Sequence, residues 1–377
     1  MSRRGLGNAF RCCDCAVNSS TRGPAIHRRN FTSSLSWRRH GAIPQFTETS
    51  SAELNDLLSE IRQKIMLPSH LSSKHQKLIY KKRYENELLT EPVIATIANE
   101  DFQLQHIDRT KDLPNHKKAL FKAISLMKEK KDWGNLPNLL AGMKLAGMNT
   151  SGLSMKNRIV SLVRQAGRHE VILECLLRAE DTGMQLKEPV FATMVMLAIQ
   201  QRAFDTDWHE HELAKALKWA ELVVVMMEEP KHAGSRVLAG KDDPRLQPQV
   251  IGILLELASI KAVKYLEGRD VDGKVAEYST RLLGTPLDFE PLAYESEHAY
   301  ESEYALNPWL WAHVPVLHGM YEALKVLDPS SPVAEGLRTK SEVLDSMVST
   351  TYEKLADLAS KENKSLIGLK MYEKLLG

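Results

Sequence analysis

The residues best suited to metal or acid–base chemistry in this chain are His209, Glu210 and His211, which are contiguous. The two histidines are two positions apart, whereas two ligands on one face of a helix are three or four residues apart. The cluster also lies in a polar stretch, residues 205–211, that separates two apolar segments. We therefore predict a surface loop at this position and neither a metal site nor a catalytic centre.

Three of the four cysteines, Cys12, Cys13 and Cys15, lie close together near the N-terminus. Histidines or a second cysteine pair at zinc-ligand spacing do not accompany them, and they fall inside a leader segment, so we interpret them as incidental. We predict that Cys175 lies on an apolar helix face. The sequence also lacks a glycine-rich phosphate loop after a predicted strand and a nucleophile-elbow pattern. These patterns predict a protein that is not an enzyme and has no cofactor.

Residues 1–50 have the composition of a mitochondrial targeting sequence. They contain eight arginines, no lysine, many serines and threonines, and only Asp14 and Glu48 as acids. Arginine-rich, serine-rich and acid-poor segments are typical of presequences imported into the matrix. We predict a presequence at residues 1–31, cleaved near Phe31; the alternative is a disordered basic tail that stays attached. Because no apolar run approaches the roughly 18 residues that span a bilayer, we predict no integral membrane insertion.

The remaining charge is divided unequally along the chain. Residues 51–178 carry 21 Lys and Arg against 14 Asp and Glu, a net charge of +7, whereas residues 179–377 carry 21 against 32, a net charge of −11. This asymmetry favours an anionic partner for the first half, although a solvated helix face is an alternative for each basic cluster. Tyr80 and Tyr84 flank one cluster and could stack on bases. The candidate RNA contacts in these clusters are Lys77, Lys81, Lys82, Arg83, Lys117, Lys118, Lys130 and Lys131.

The apolar periodicity predicts an all-α fold. A disordered linker is expected at residues 32–50, a helix from Ala52 to Met66 that ends at Pro68, and a basic helix from Ser72 to Leu89. A shorter element follows at residues 91–97. The predicted organisation is a presequence (1–31), a linker with basic N-terminal helices (32–115), helical repeats (116–229) and a C-terminal helical region with an acidic loop (230–377).

Residues 116–229 contain a sequence repeat with a period of 36. Gly147-Met148 is echoed by Gly183-Met184, and a helix pair precedes each glycine. A period in the thirties built from two amphipathic helices indicates helical hairpins that stack into an α-solenoid. A looser third copy starts at Pro189.

The second copy resembles the pentatricopeptide repeat family. The stretch Asn157-Arg158-Ile159-Val160-Ser161-Leu162-Val163-Arg164-Gln165-Ala166-Gly167-Arg168 follows that family's pattern of an asparagine, an apolar pair and a Gly-Arg turn. The first copy has Lys131 in place of the turn glycine, and the third has Thr193 at the asparagine position and Ala203 at the turn. By this resemblance, the residues that would contact RNA bases are Asn157 and Lys187.

More helices are predicted beyond Pro230. A loop at residues 231–249 precedes a helix pair within residues 250–283, and residues 284–308 contain the duplicated motif Tyr-Glu-Ser-Glu. This acidic segment is either a solvated edge or a contact for a basic protein. Trp309 and Trp311 are predicted to anchor the next helix in the core. Two final helices are expected from Glu335 to Ser360 and from Leu366 to Leu376.

The sequence therefore predicts a non-catalytic helical-repeat protein of the mitochondrial matrix. Members of the pentatricopeptide family in mitochondria bind single-stranded RNA or belong to the mitochondrial ribosome, and this resemblance implies a ribosomal component or factor. The expected partners are rRNA or mitochondrial mRNA, together with ribosomal or other mitochondrial proteins. The alternative is a protein-only scaffold or assembly factor for a respiratory-chain complex. A message-specific factor would require more repeats than the two or three found here.

Overall fold

The structure is a computed structural model that describes residues 42–233, 243–285, 303–362 and 366–377. The predicted presequence, its three cysteines and all but the last residue of the duplicated Tyr-Glu-Ser-Glu motif lie outside these residues. The described part is mostly helical, as the periodicity predicts. Its buried apolar side chains form one cluster that runs from Ile43 to Met371.

The first helical segment continues past the proline that was predicted to end it. It consists of α1 (Ala52–Ile61), a π-helical turn (Arg62–Met66) and α2 (Leu67–His70). Pro68 lies in the first turn of α2, where its missing N–H removes no helical hydrogen bond. The π-turn just before Pro68 changes the hydrogen-bond spacing of the helix. In it, the N–H of Leu67 bonds to the carbonyl of Arg62, five residues earlier instead of four.

The basic helix predicted from Ser72 to Leu89 is broken in two. Helix α3 (Ser73–Tyr80) is followed by a 3₁₀ turn (Lys82–Tyr84) and α4 (Glu85–Thr90). Lys81 has extended backbone dihedrals, and the carbonyl of Ile79 accepts the N–H of Ile107 at 2.8 Å. In a continuous helix, the carbonyl of Ile79 would accept an N–H from the next helical turn. Here it accepts a long-range bond instead, so tertiary structure overrides the local helix propensity.

The short element predicted near residues 91–97 is a β-strand. β1 (Ile94–Ile97) pairs antiparallel with β2 (Glu100–Gln103), with Ile97 opposite Glu100. The two-residue loop between them, Ala98 and Asn99, has positive φ at both positions (47° and 68°), which is the pattern of a type I′ turn. Alternate residues of β1 are buried, so this hairpin covers the core with one face.

Three helix pairs occupy the predicted repeat region. The bounds are α5 (His116–Leu126), α6 (Lys130–Trp133), α7 (Leu136–Leu145), α8 (Leu153–Gln165), α9 (His169–Leu177), α10 (Ala179–Thr182), α11 (Pro189–Asp205), α12 (Glu210–Glu228) and the short α13 (Pro230–Ala233). Helix α11 packs against both α8 and α12, and α7 packs against α9 and α10. The first helices of the second and third pairs thus contact each other, and so do the second helices of the first and second pairs.

Glycine ends three of these helical stretches in the left-handed conformation that was predicted for Gly183. The φ angles are 86° at Gly147, 67° at Gly167 and 81° at Gly183. At the first two, the next residue donates to a carbonyl five residues back (Met148 to Met143 and Arg168 to Val163, both 3.0 Å), which is the Schellman motif.

Two turns predicted by the repeat pattern lie elsewhere. Ala203 is buried inside α11, and the chain turns at Asp207 and Trp208, whose φ angles are 51° and 62°. Nothing at Ala203 opposes a helix, so α11 runs two residues further. In the first pair, α5 already ends at Leu126, and Lys131 lies within α6.

The C-terminal region also consists of packed helices. They are α14 (Pro248–Tyr265), α15 (Lys274–Leu283), α16 (Glu303–Leu324), α17 (Pro332–Glu362) and α18 (Ile367–Leu375). The last two match the predicted final helices closely. Helix α14 packs against α11, α12, α15 and α16, and it is buried around most of its circumference. Trp311 is buried and Trp309 packs partly buried against the core, as predicted.

The described part of the predicted linker, residues 42–50, is packed against the segment that contains α6 and α7 instead of being disordered. The buried carboxylate of Asp132 accepts hydrogen bonds from the N–H and the hydroxyl of Ser50, both at 2.7 Å. The N–H of Thr47 donates to Asn135 at 2.8 Å, and Ile43 is buried in the core. The polar composition that indicates a linker here supplies hydrogen bonds to α6 and α7.

Candidate nucleic-acid interface

The basic residues predicted to contact RNA are exposed. This holds for Lys77, Lys81, Lys82, Arg83, Lys117, Lys118, Lys130 and Lys131. Among the described residues, only Lys131 of this set has an ion-pair partner, Glu129 at 3.8 Å, and both of those side chains are more than half exposed. The other seven cations have no carboxylate of the described chain within 4.0 Å, so their charge is available to an external anion.

The first of these clusters surrounds the break between α3 and the 3₁₀ turn. Lys77 lies in the last turn of α3, and Lys81 to Arg83 follow it. The flanking tyrosines are less free than predicted, because the guanidinium of Arg109 lies 4.0 Å from the Tyr80 ring centroid and that of Arg83 lies 4.5 Å from Tyr84. Each of these rings therefore has one face covered by an arginine.

The second group lies at the starts of α5 and α6. Lys117 and Lys118 are in the first turn of α5, which packs against α1 and α7. Lys130 and Lys131 begin α6, one short loop after α5 ends. The placement of these four lysines at helix starts leaves their side chains outside the helix–helix contacts.

The two base-contact candidates implied by the repeat resemblance flank one buried ion pair. Lys156 has no exposed side-chain surface, and its ammonium bonds to the carboxylate of Glu188 and to the carbonyl of Gln185 at 3.1 Å. Asn157 follows it in α8, half-buried, with a buried Oδ1 that has no hydrogen-bond partner among the described residues. Lys187 is exposed, but its ammonium is 3.9 Å from Glu188. The structure thus brings the two candidates to the same junction and partly neutralises Lys187.

An open groove that the sequence did not reveal lies beside Lys117. It runs between the start of α5 and the connection from α7 to α8, and its lining residues are Leu113, Pro114, Asn115, His116, Lys117, Met148, Asn149 and Met155. The lining comes from two segments about 35 residues apart, which only the packing of successive helix pairs brings together. No local sequence motif marks the groove, because its two sides meet only in the folded chain. Burial lowers the pKa of His116, so its imidazole is neutral near pH 7.

The histidine cluster is exposed, but it is not confined to a loop as predicted. His209 precedes α12, and Glu210 and His211 form its first turn. Among the described residues, no group of three or more His, Cys, Asp or Glu side chains could hold a metal ion. Cys175 is buried on α9, as predicted, and burial raises the pKa of its thiol.

Comparison with known proteins assigns the chain to a family. A sequence profile described as mitochondrial ribosomal protein mS27 matches residues 29–374, which is nearly the whole chain. This chain belongs to the mitochondrial ribosomal protein mS27 family. A curated relative, the small ribosomal subunit protein mS27 of Neurospora crassa, is 25% identical over 403 aligned residues, covering 100% of this chain and 99% of that protein.

Membership of the mS27 family confirms the central functional prediction. The protein is a component of the mitochondrial ribosome, located in the mitochondrial matrix, and its partners are rRNA and ribosomal proteins. In the part of the chain that the structure describes, no helix is both long and apolar enough to cross a bilayer. The basic first half and the acidic second half of the chain therefore belong to a component of a large ribonucleoprotein.

Proposed function

We propose that this protein is a non-catalytic architectural subunit of the small mitochondrial ribosomal subunit. The name of the Neurospora relative, which aligns over the full length of the chain, supports the choice of subunit. The non-catalytic role is supported by the chain's membership of a ribosomal protein family. The family match favours this role over a scaffold for a respiratory-chain complex.

The proposed RNA-binding surface consists of the exposed basic clusters at α3, the following 3₁₀ turn and the starts of α5 and α6. The observation that carries this proposal is the set of seven exposed cations with no carboxylate partner among the described residues. Cations of this kind contact phosphates and supply affinity and position, with little sequence information. Asn157 and Lys187 are proposed to contribute at the next junction, where one base at most would be read.

The proposed architecture is a short α-solenoid with pentatricopeptide-like hairpins. Its support is the contact pattern, in which α8, α11 and α14 pack in series as do α7, α9 and α12, together with the glycine-ended helices. Stacked hairpins of this kind leave an extended surface for a large partner. The acidic C-terminal half is proposed to contact basic ribosomal proteins, because opposite charges favour that encounter.

Sucrose-gradient sedimentation of mitochondrial lysates tests this function. A tagged chain is expected to migrate with the small subunit at low salt and to stay there after a moderate-salt wash. A second tagged chain with Lys81, Lys82, Lys117 and Lys118 changed to Gln is expected to move towards free protein at a lower salt concentration, because it forms fewer phosphate contacts. Migration of the unsubstituted chain with respiratory complexes, or only as free protein, would refute the proposal.

A further inference from the structure

The groove beside Lys117 is a depression of about 590 Å³ that is widely open to solvent. Its floor contains the partly buried side chains of Met148 and Met155, which pack against the core. The rim contains Asn149 and Lys117, both exposed. An apolar floor with amide and ammonium groups at the rim suits a flat, polar-edged ring that is joined to a negatively charged group.

The surroundings of the groove favour one class of occupant. Lys117 and Lys118 have no ion-pair partner among the described residues, and the segment from residue 51 to 178 has a net charge of +7. On the neighbouring helices, the guanidinium of Arg158 lies 3.9 Å from the ring centroid of Phe121 and so joins α8 to α5. The neutral imidazole of His116 adds a group that can donate or accept a hydrogen bond.

We propose that this groove binds one unpaired nucleotide of RNA. The base lies on the thioethers of Met148 and Met155, its polar edge meets Asn149 and His116, and its phosphate meets Lys117. Thioethers make favourable contacts with aromatic rings, and an unpaired base offers both its face and its edge to a protein. The inference rests on the proposed RNA-binding function and adds a defined position and a preference for unpaired RNA.

A pair of matched substitutions tests the groove without disturbing the core. Asn149→Asp places a negative charge at the rim, and Asn99→Asp makes the same change at an exposed position in the turn between β1 and β2, outside the groove and the basic clusters. Binding of the full chain to a fluorescent 12-nucleotide oligouridine is measured by anisotropy. Asn149→Asp is expected to weaken binding about tenfold, whereas Asn99→Asp changes it less than twofold. Binding of a fully paired RNA hairpin is expected to respond equally to both substitutions.

Photocrosslinking gives an independent readout on the unsubstituted chain. Oligouridine that contains 4-thiouridine is irradiated with the protein, and the crosslinked peptides are identified by mass spectrometry. Crosslinks within residues 113–117 or 148–155 support the site. Crosslinks found only elsewhere, or equal oligouridine affinity for the two variants, would contradict nucleotide binding in the groove. Neither result would contradict the proposed RNA-binding function. Failure of the unsubstituted chain to bind any RNA at low salt would overturn both.

Discussion

At the scale of single residues, Asp132 is the clearest example of a side chain that joins distant parts of the chain. Its carboxylate accepts bonds from Ser50 and from the N–H groups of Lys128 and Glu129 at 3.0 and 2.8 Å. Burial by itself would raise the pKa of Asp132, but these hydrogen bonds outweigh it and hold the pKa at about 2, below the usual 3.8. The ionised form is therefore the one that stabilises the fold.

Replacement of Asp132 by Asn is expected to destabilise the protein by about 2 kcal/mol at pH 7. Because the folded-state pKa is lowered, this stabilisation is present above pH 4 and is lost as the pH falls from about 4 to about 2. Urea unfolding as a function of pH checks both points: the variant should show a shallower loss of stability over that acidic range. An unchanged acid dependence would show that Asp132 does not hold residues 42–50 in place.

Burial at the residue scale also explains which candidates could be recognised from sequence. Exposed lysines in charged clusters are recognisable because nothing apolar surrounds them. The buried Lys156 was not recognisable from the sequence. Its ammonium bonds to Glu188, 32 residues later, and lies 4.4 Å from the ring centroid of Phe191. Its partners follow from tertiary packing, which a local pattern does not encode.

At the scale of secondary-structure elements, the helix ends connect one hairpin to the next. Gly183 has a φ of 81°, and a Cβ atom there would lie 2.5 Å from Thr150 Oγ1 and 3.0 Å from Ser151 Oγ. Gly147 has a similar φ of 86°, but a Cβ atom there would meet nothing within 4 Å. The two glycines therefore share the same backbone requirement and differ in how closely another segment of the chain approaches them.

Replacement of each glycine by Ala separates these two effects. Gly147→Ala is expected to cost about 1 kcal/mol, because L-residues disfavour this conformation. Gly183→Ala should cost at least about 1 kcal/mol more, because the end of the preceding repeat must also move. Chemical denaturation of the two variants gives the comparison. Equal losses would indicate that residues 150–151 do not pack against Gly183 in solution.

The helices of the repeat region were predictable, and the β-hairpin was not. Apolar residues recur at helical spacing in α8 and α9, and glycines mark the ends of α8 and α10, so two local signals agree. The turn between β1 and β2 uses Ala98 and Asn99 at positive φ, where Asn-Gly would have been the recognisable pair. Strands of four residues are also too short for alternation to stand out. The end of α11 was misplaced because Asp207 and Trp208 take the left-handed conformation without a glycine.

At the scale of the whole molecule, the division of charge is the feature that sequence analysis captured best. The ribosome contains both rRNA phosphates and basic proteins, so the basic half and the acidic half of the chain each have partners of opposite charge there. The groove beside Lys117 required the packing of two helix pairs and lay beyond sequence reasoning. The basic surface is spread over α3, α5 and α6, so no single lysine should dominate the affinity.

The salt dependence of RNA binding measures how many of these cations contact phosphates. Substitution of Lys81, Lys82, Lys117 and Lys118 by Gln is expected to lower the slope of log K against log salt by up to about 3, or about 0.7 per lost contact on single-stranded RNA. Filter binding over a range of KCl concentrations gives the slope. The matched control changes four exposed lysines of the acidic half to Gln and should leave the slope unchanged: Lys218, Lys264, Lys340 and Lys370.

The most direct test of the central claim is a cryo-electron microscopy map of the small mitochondrial ribosomal subunit that contains this protein. The account predicts that α3 and the starts of α5 and α6 face rRNA, with Lys81, Lys82, Lys117 and Lys118 near phosphates, while the acidic C-terminal half faces protein. A map in which the basic surface faces solvent and the acidic half lies against rRNA would contradict it.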